Sequence, residues 1–325
     1  MPPLAEIASD ELTFVCCIEG TAIEAQALLL CESIRRFGGR YAKATVVAVN
    51  PRPSLPISYR SEQQLADLDV RYVCEPLNVT GSPYLTINRI VTGSWAEQHL
   101  GSAYVAVLDS DMLFVRPPSF TRADVGIRPV DAKGSASAGP DDPLDAYWSS
   151  MCAIAGIAAD ALPLVRASID GTRLRASYNG GFCIARRSLG VFRETHRVFE
   201  VSRERDLRPL RGSALSVYAS TGFVGDAASE WWGSSQAALS VAIHARARSV
   251  EVYDARYNVP LHLLAPGAGG SVPWPARAPV LLHYHWLTAP EHRSELFVRL
   301  HAFDIDENVV SWLHEFFERE QTRPR

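Results

Sequence analysis

The stretch Tyr104-Val-Ala-Val-Leu-Asp-Ser-Asp-Met-Leu-Phe114 decides how the rest of the chain is read. An apolar run from Tyr104 to Leu108 stops at Asp109, and a second, Met112 to Val115, starts directly after Asp111. A short run rich in valine and bounded by polar residues reads as a buried strand. Asp-x-Asp alone is a common acidic turn. Here apolar flanks would bury the backbone on both sides, and two carboxylates between such flanks cost desolvation energy unless a cation compensates. Hard divalent ions such as Mg2+ and Mn2+ prefer oxygen ligands and bridge diphosphate oxygens in turn. Asp109 and Asp111, at a strand end, could both reach one such ion.

Upstream, Leu12 to Ile18 reads as a strand, broken by Gly20-Thr21. Ala22 to Phe37 has helical spacing (Ile23, Ala27, Leu30, Ile34), and Gly38-Gly39 ends it. Ala44 to Val49 and Val70 to Cys74 read as further strands, and Ile87 to Leu100 as a helix. This alternation predicts an α/β fold: a single domain with a mainly parallel, Rossmann-like sheet flanked by helices. Ligands of such sheets bind outside the carboxyl ends of the strands, which puts Glu19-Gly20-Thr21 and Asp109-Ser110-Asp111 at one edge.

Downstream the pattern is less regular. Asp131 to Asp145 is rich in Gly, Ser, Ala, Pro and Asp and reads as a mobile loop. Helices are expected at Leu144 to Ala158, Leu189 to Arg203 and Ser234 to Ala247. Tyr178 to Ala185 reads as a turn feeding an apolar strand. Short strands are expected at Glu251 to Tyr253 and Val280 to His283, with a Gly/Pro-rich loop, Pro266 to Pro279, between them. Asn308 to Glu320 is an amphipathic closing helix. The main domain is set at 12–303, with a tail at 1–11 and a C-terminal helix and tail at 304–325.

Composition narrows the function. The 325 residues are 47% hydrophobic with a net charge of −4, so nucleic acid is not an expected partner. Of 32 basic residues only Lys43 and Lys133 are lysines, so individual arginines carry little signal. Neither Gly-x-Gly-x-x-Gly nor Gly-x4-Gly-Lys-Ser/Thr occurs, which disfavours dinucleotide-binding and P-loop enzymes. Six cysteines without a CxxC pair suit free thiols in a reducing compartment. Met1 to Glu11 lacks the basic start and apolar core of a secretory signal. No apolar run approaches the ~20 residues of a membrane span. A cytoplasmic protein is expected.

The run Val-Leu-Asp-Ser-Asp-Met-Leu-Phe resembles the Asp-x-Asp segment of GT-A-fold glycosyltransferases, most closely the glycogenin and bacterial lipopolysaccharide galactosyltransferase family. Through Phe114-Val115-Arg116-Pro117-Pro118 it is also similar to the plant peptidyl-hydroxyproline arabinosyltransferases and peptidyl-serine galactosyltransferases. The resemblance implies a GT-A fold and metal-dependent transfer of a hexose from a UDP-sugar, UDP-glucose or UDP-galactose, to an acceptor hydroxyl, with Mn2+ or Mg2+.

It also implies roles by position. Asp109, Ser110 and Asp111 would meet the metal and donor, and Arg89 would approach the diphosphate or sugar. Asn179, Gly180 and Gly181 match an Asn-Gly-Gly turn against the sugar. Cys17, Glu19, Gly20 and Thr21 would form the base pocket, with Glu19 on the ribose. Leu281-Leu282-His283-Tyr284 holds the family's third metal ligand at His283. In a strand His285 would share that face, so both histidines are candidates. An imidazole suits Mn2+ better than Mg2+. The family's Gly-x-x-Lys-Pro-Trp is replaced by Trp286-Leu287-Thr288, which leaves the diphosphate lysine without a counterpart.

Chemistry divides two ways. The family's Asp-Gln pair reads Ser235-Gln236 here, and Gln236 favours a retaining reaction. The inverting alternative takes Glu230 or Asp226 as general base. Trp231 and Trp232 could stack on a sugar face in either case. Two further readings are a nucleotidyltransferase that makes the sugar nucleotide and a non-catalytic nucleotide-sugar-binding protein.

Overall fold

The computed structural model describes residues 5–213, 217–265 and 274–321. Strand β1 (Leu12–Cys17) is buried along its whole length and feeds α1 (Ala22–Phe37). Thr21 starts that helix: its hydroxyl accepts from the Ile23 amide at 3.3 Å, satisfying a donor the first turn leaves unpaired. Arg35 and Arg36 sit in the last turn, where the helix dipole favours cations.

The alternation continues through β2 (Thr45–Asn50), α2 (Tyr59–Asp67), β3 (Val70–Cys74), α3 (Ile87–His99) and β4 (Tyr104–Leu108). Then come β5 (Met112–Phe114), β6 (Val125–Pro129) and α4 (Asp145–Ala155). A hairpin, β7 (Leu164–Arg166) and β8 (Arg173–Arg175), leads to β9 (Tyr178–Arg186) and α5 (Val191–Glu204). A second hairpin, β10 (Val217–Ala219) and β11 (Gly222–Val224), precedes α6 (Asp226–Ser229) and α7 (Ser234–Arg246). The chain closes with β12 (Val250–Val252), β13 (Val259–Pro260), β14 (Leu281–His283), α8 (Arg293–Leu300) and α9 (Glu307–Gln321).

The main sheet has seven strands in the order β12-β6-β9-β4-β1-β2-β3. Its neighbours pair in parallel except β9, which runs antiparallel to both β4 and β6. A second sheet has the order β13-β14-β5. Side chains alternate across β1, and each face builds its own core. Phe14 and Cys16 pack with Leu30 and Ile34 of α1 and Trp312 and Phe316 of α9. Val15 packs with Val47, Val107, Val91 of α3, Phe199 of α5 and Val241 of α7. This is the expected single α/β domain with a Rossmann-like, GT-A-type sheet and helices on both faces. The described parts of 1–11 and 304–325 share its first core. Ile7 is buried and its amide donates to the Phe120 carbonyl, and Trp312 Nε1 donates to Glu32 at 2.7 Å. Among the described residues no helix is long and apolar enough to cross a membrane.

Two local expectations change. Tyr178-Asn-Gly-Gly is no turn but the start of β9, and neither glycine has positive φ. The 131–145 segment is tied down rather than loose. Asp142 accepts from the Ala138 and Leu144 amides, both at 3.0 Å, and Lys133 Nζ lies 2.9 Å from its carboxylate. Trp148 Nε1 donates to the Ser135 carbonyl at 2.9 Å. Of the loop expected at Pro266 to Pro279, residues 266–273 lie outside the described residues.

Candidate active site

The site begins with the turn after β4. The Asp109 amide donates to the Gly181 carbonyl at 2.8 Å, and Ser110 Oγ donates to the Cys17 carbonyl at 2.5 Å. The turn is thereby fixed to β9 and to the end of β1. It reverses the chain into β5, which pairs antiparallel with β14 so that His283 stands opposite Met112. The Tyr284 amide donates to the Asp111 carbonyl at 3.1 Å. This pairing brings His283 Nε2 to 3.3 Å from Asp111 Oδ2.

His285 arrives by a different route from the one expected. The strand ends at His283, so no shared strand face carries the second imidazole. Instead His285 takes φ 51°, in the left-handed region that side chains other than glycine rarely occupy. Its ring then lies 4.4 Å from that of His283, centroid to centroid, and stacks on His262 at 3.6 Å. Strain of this kind costs on the order of 1 kcal/mol and persists where surrounding structure enforces it, commonly at functional sites.

Ligand atoms of Asp111, His283 and His285 all lie within 4.8 Å of one another. Both ring nitrogens of His283 and Nδ1 of His285 are buried without a well-formed hydrogen bond. Buried polar atoms are normally satisfied, so these point to a missing partner. Burial alone would push the Asp111 carboxyl up, but the adjoining His283 imidazole holds it well below the usual carboxylate range. Burial, with His283 beside it, drops His285 to about 3. Burial likewise takes His262 down to about 2. Burial would lower His283, but the Asp111 carboxylate outweighs it and raises the imidazole. A cation would take the place of the His283 proton between an anionic carboxylate and a then neutral imidazole, the forms that ligate metal.

Asp109 lies outside this cluster and is engaged by Arg89 instead. Arg89 Nη1 donates to Asp109 Oδ1 at 2.8 Å and Oδ2 at 2.7 Å, and Nη2 donates to Ser235 Oγ at 3.1 Å. The two glycines of β9 make room for that ion pair. A Cβ on Gly180 would lie 2.4 Å from Arg89 Nη2, and one on Gly181 would lie 2.9 Å from Asp109 Oδ2. Close approach, not a turn, is what requires glycine here.

These groups border a cavity of about 630 Å³ at the carboxyl edge of the sheet, a size typical of small-molecule sites. Of the residues singled out in the sequence, Cys17, Arg89, Asp109, Ser110, Asp111, Asn179, Trp232, Ser235, Gln236, His283, His285 and Trp286 line it. The others do not. Glu19 is buried in a two-point pair with Arg52, at 2.5 and 2.9 Å, and accepts from Asn88 at 3.1 Å, so it has no reach to a ribose. Gly20 packs against Pro56, whose carbonyl oxygen a Cβ would approach to 2.2 Å, and Thr21 is spent capping α1. Trp231 turns away to Phe199 and Arg208. Glu230 pairs with Arg208 at 2.6 Å and accepts from the Gly212 amide at 2.8 Å, while Asp226 is exposed at the start of α6. Neither carboxylate is among the residues that line the cavity.

The cavity also holds residues the sequence reading passed over, among them Gln26, Tyr84, Asp131, Lys133 and His262. Asp131 accepts from Asn179 Nδ2 at 3.0 Å, and burial pushes its carboxyl up to about 6. Its signal was available. It follows β6 as Asp109 follows β4, but Arg128-Pro129 disguise the strand. His262 carries no such signal: a lone histidine in an apolar run reads as core.

No curated protein matches the chain. The profile of a Rhodobacterales glycosyltransferase domain matches residues 14–208. That segment runs from β1 past Arg89, Asp109, Asp111, Asp131 and Asn179, and stops short of Gln236 and the three histidines. It spans more than half of the 325 residues. The chain belongs to this Rhodobacterales family and is a glycosyltransferase.

Proposed function

We propose that the enzyme moves a hexose from a UDP-sugar to an acceptor hydroxyl, with a divalent cation held by Asp111, His283 and His285. The observation that carries the reading is the convergence of that carboxylate with two unsatisfied imidazoles at the edge of the cavity. Two nitrogen donors and one oxygen donor suit Mn2+ better than Mg2+. A bound cation would offset the charge that builds on the departing nucleoside diphosphate.

The protein groups divide the rest of the work. Arg89 offers a charge-assisted contact to phosphate. Asn179 and Asp131, joined to each other, present acceptor and donor atoms to sugar hydroxyls. Trp232 offers an apolar face to a ring. Gln236 borders the cavity while Glu230 and Asp226 do not. This favours a retaining course with Gln236 near the anomeric carbon over an inverting one that uses either carboxylate. Six free cysteines, five of them buried, support residence in the reducing cytoplasm.

Calorimetry with UDP, with and without Mn2+, tests the donor and metal assignments together. Hydrolysis assays with UDP-glucose and UDP-galactose test turnover. Asp111→Ala should remove the metal dependence of UDP binding. An unchanged affinity and an unchanged metal response in that variant would sink the reading.

A further inference from the structure

We infer that Arg89 is a latch on Asp109 that the donor diphosphate opens. Before the donor arrives, the guanidinium holds Asp109 away from the cation-binding cluster. Afterwards Arg89 turns to phosphate, and Asp109 becomes a further ligand of the cation. The inference rests on the metal reading above, and extends it to the order in which the site is assembled.

Asp109 is close to the cluster but engaged elsewhere. A single Arg89 nitrogen contacts both of its oxygens, at 2.8 and 2.7 Å. A Cβ placed on Gly181 would lie 2.9 Å from Asp109 Oδ2 and 3.2 Å from His283 Cε1. The carboxylate and the imidazole therefore flank one gap the width of a missing methyl. In the latch, Asp109 crosses that gap by rotation of its side chain. The Asp109 side chain keeps 26% of its surface exposed, so it is not locked by packing.

Charge gives the direction. With Arg89 and Asp109 neutralising each other, Asp111, with Asp131 further along the cavity, is left to face a doubly charged ion. Among the described residues the lysine and arginine side chains at the cavity are Arg89 and Lys133, and Lys133 is paired with Asp142 at 2.9 Å. An incoming diphosphate carries more charge than a carboxylate and accepts two parallel arginine hydrogen bonds, so it competes for Arg89. The released Asp109 then lies beside a cation that needs its charge. Ser235 lets the guanidinium move: its neutral hydroxyl accepts from Nη2 at 3.1 Å and offers no rival ion pair. Linkage makes the coupling reciprocal, so metal and diphosphate raise each other's affinity by the same factor.

The test is Mn2+ binding followed by electron paramagnetic resonance, with and without UDP, on wild type, Asp109→Asn and Arg89→Met. Thermal melting checks that each variant is folded. In wild type UDP tightens Mn2+ binding. Asp109→Asn should weaken Mn2+ binding roughly tenfold or more with UDP present and about threefold or less without it. Arg89→Met frees Asp109 and should tighten Mn2+ binding without UDP by a few-fold, about threefold or more. This second variant keeps the test alive if Asp109→Asn fails to fold. Equal weakening by Asp109→Asn in both conditions, or none in either, overturns the latch. So does Arg89→Met that leaves UDP-free Mn2+ affinity unchanged. A wild-type protein that binds no Mn2+ in either condition overturns the metal reading itself, and the latch with it.

Discussion

Asp111 and His283 lie 3.3 Å apart, carboxylate to imidazole, because β5 and β14 pair with His283 opposite Met112. The contact is made by backbone register rather than by a flexible loop, so the cluster is pre-formed. A ligand that binds the folded state alone stabilises it by about 2.7 kcal/mol at a hundredfold excess over its dissociation constant. Mn2+ should therefore raise the melting temperature of wild type by several degrees. His283→Ala should lose that increment while keeping the fold. The check is a calorimetric melt with and without Mn2+, and an equal increment in the variant would speak against the cluster as the binding site.

The register also shows what could be read from residues alone. The edges of α1, β3 and β4 follow from runs ended by Gly, Pro or Asp, because their apolar spacing is clean. Strand β6 escaped because Val-Gly-Ile-Arg-Pro mixes a glycine, a charge and a proline into five buried positions. Helix α2 escaped because Ser61 and Leu65 are its buried residues and make too thin a stripe. The Asp111–His283 pairing could be expected only by likeness, since no local pattern announces a contact between β5 and β14. The fates of Glu19, Glu230 and Trp231 were hidden for a related reason. Their partners Arg52, Arg208 and Phe199 are set by tertiary packing, and in an arginine-rich chain no single arginine announces itself.

Asp131 gives the enzyme a pH-dependent stability whose sign can be worked out. Burial raises its folded-state pKa to about 6, from an ordinary 3.8. Between about pH 4 and 6 the native state holds a proton that the unfolded state has released. Stability contributed by this group is thus full below pH 4, falls as pH rises through the window, and is level above it. Asp131→Asn keeps the acceptor for Asn179 and removes the titration. In metal-free protein the variant should be more stable than wild type at pH 7.5, by on the order of 2 kcal/mol, and show no such advantage at pH 4. Denaturant melts across that range decide it. Parallel profiles for the two proteins would show that Asp131 does not titrate as inferred.

Gly180 supports the Arg89–Asp109 pair through the atom it lacks. A methyl there would lie 2.4 Å from Arg89 Nη2, whose guanidinium is held by both Asp109 and Ser235. Gly180→Ala must push the guanidinium out of that arrangement and leave a partly buried ion pair broken. The expected cost is about 1–3 kcal/mol of stability together with weakened UDP binding. Gly171→Ala, at an open position with positive φ away from the cavity, should cost stability without touching UDP affinity. Calorimetric titration of UDP into both variants separates the two effects, and equal UDP affinities would remove Gly180 from the donor site.

Gln236 and Glu230 stand close in the chain yet face different surroundings. Gln236 borders the cavity, whereas Glu230 is held by Arg208 at 2.6 Å and by the Gly212 amide at 2.8 Å. Those partners draw its carboxyl below the ordinary glutamate range, with the Gly212 amide the larger influence and Arg208 next, and that is the wrong direction for a base near neutral pH. Glu230→Gln should therefore leave kcat within about twofold of wild type, a surface-level effect. Gln236→Ala should lower kcat by roughly a hundredfold, the scale of losing one preorganised polar group at the reacting centre. Steady-state donor turnover measured on both variants discriminates. A collapse of kcat in Glu230→Gln, with a bell-shaped pH profile losing its acidic limb, would instead make the reaction base-catalysed and inverting.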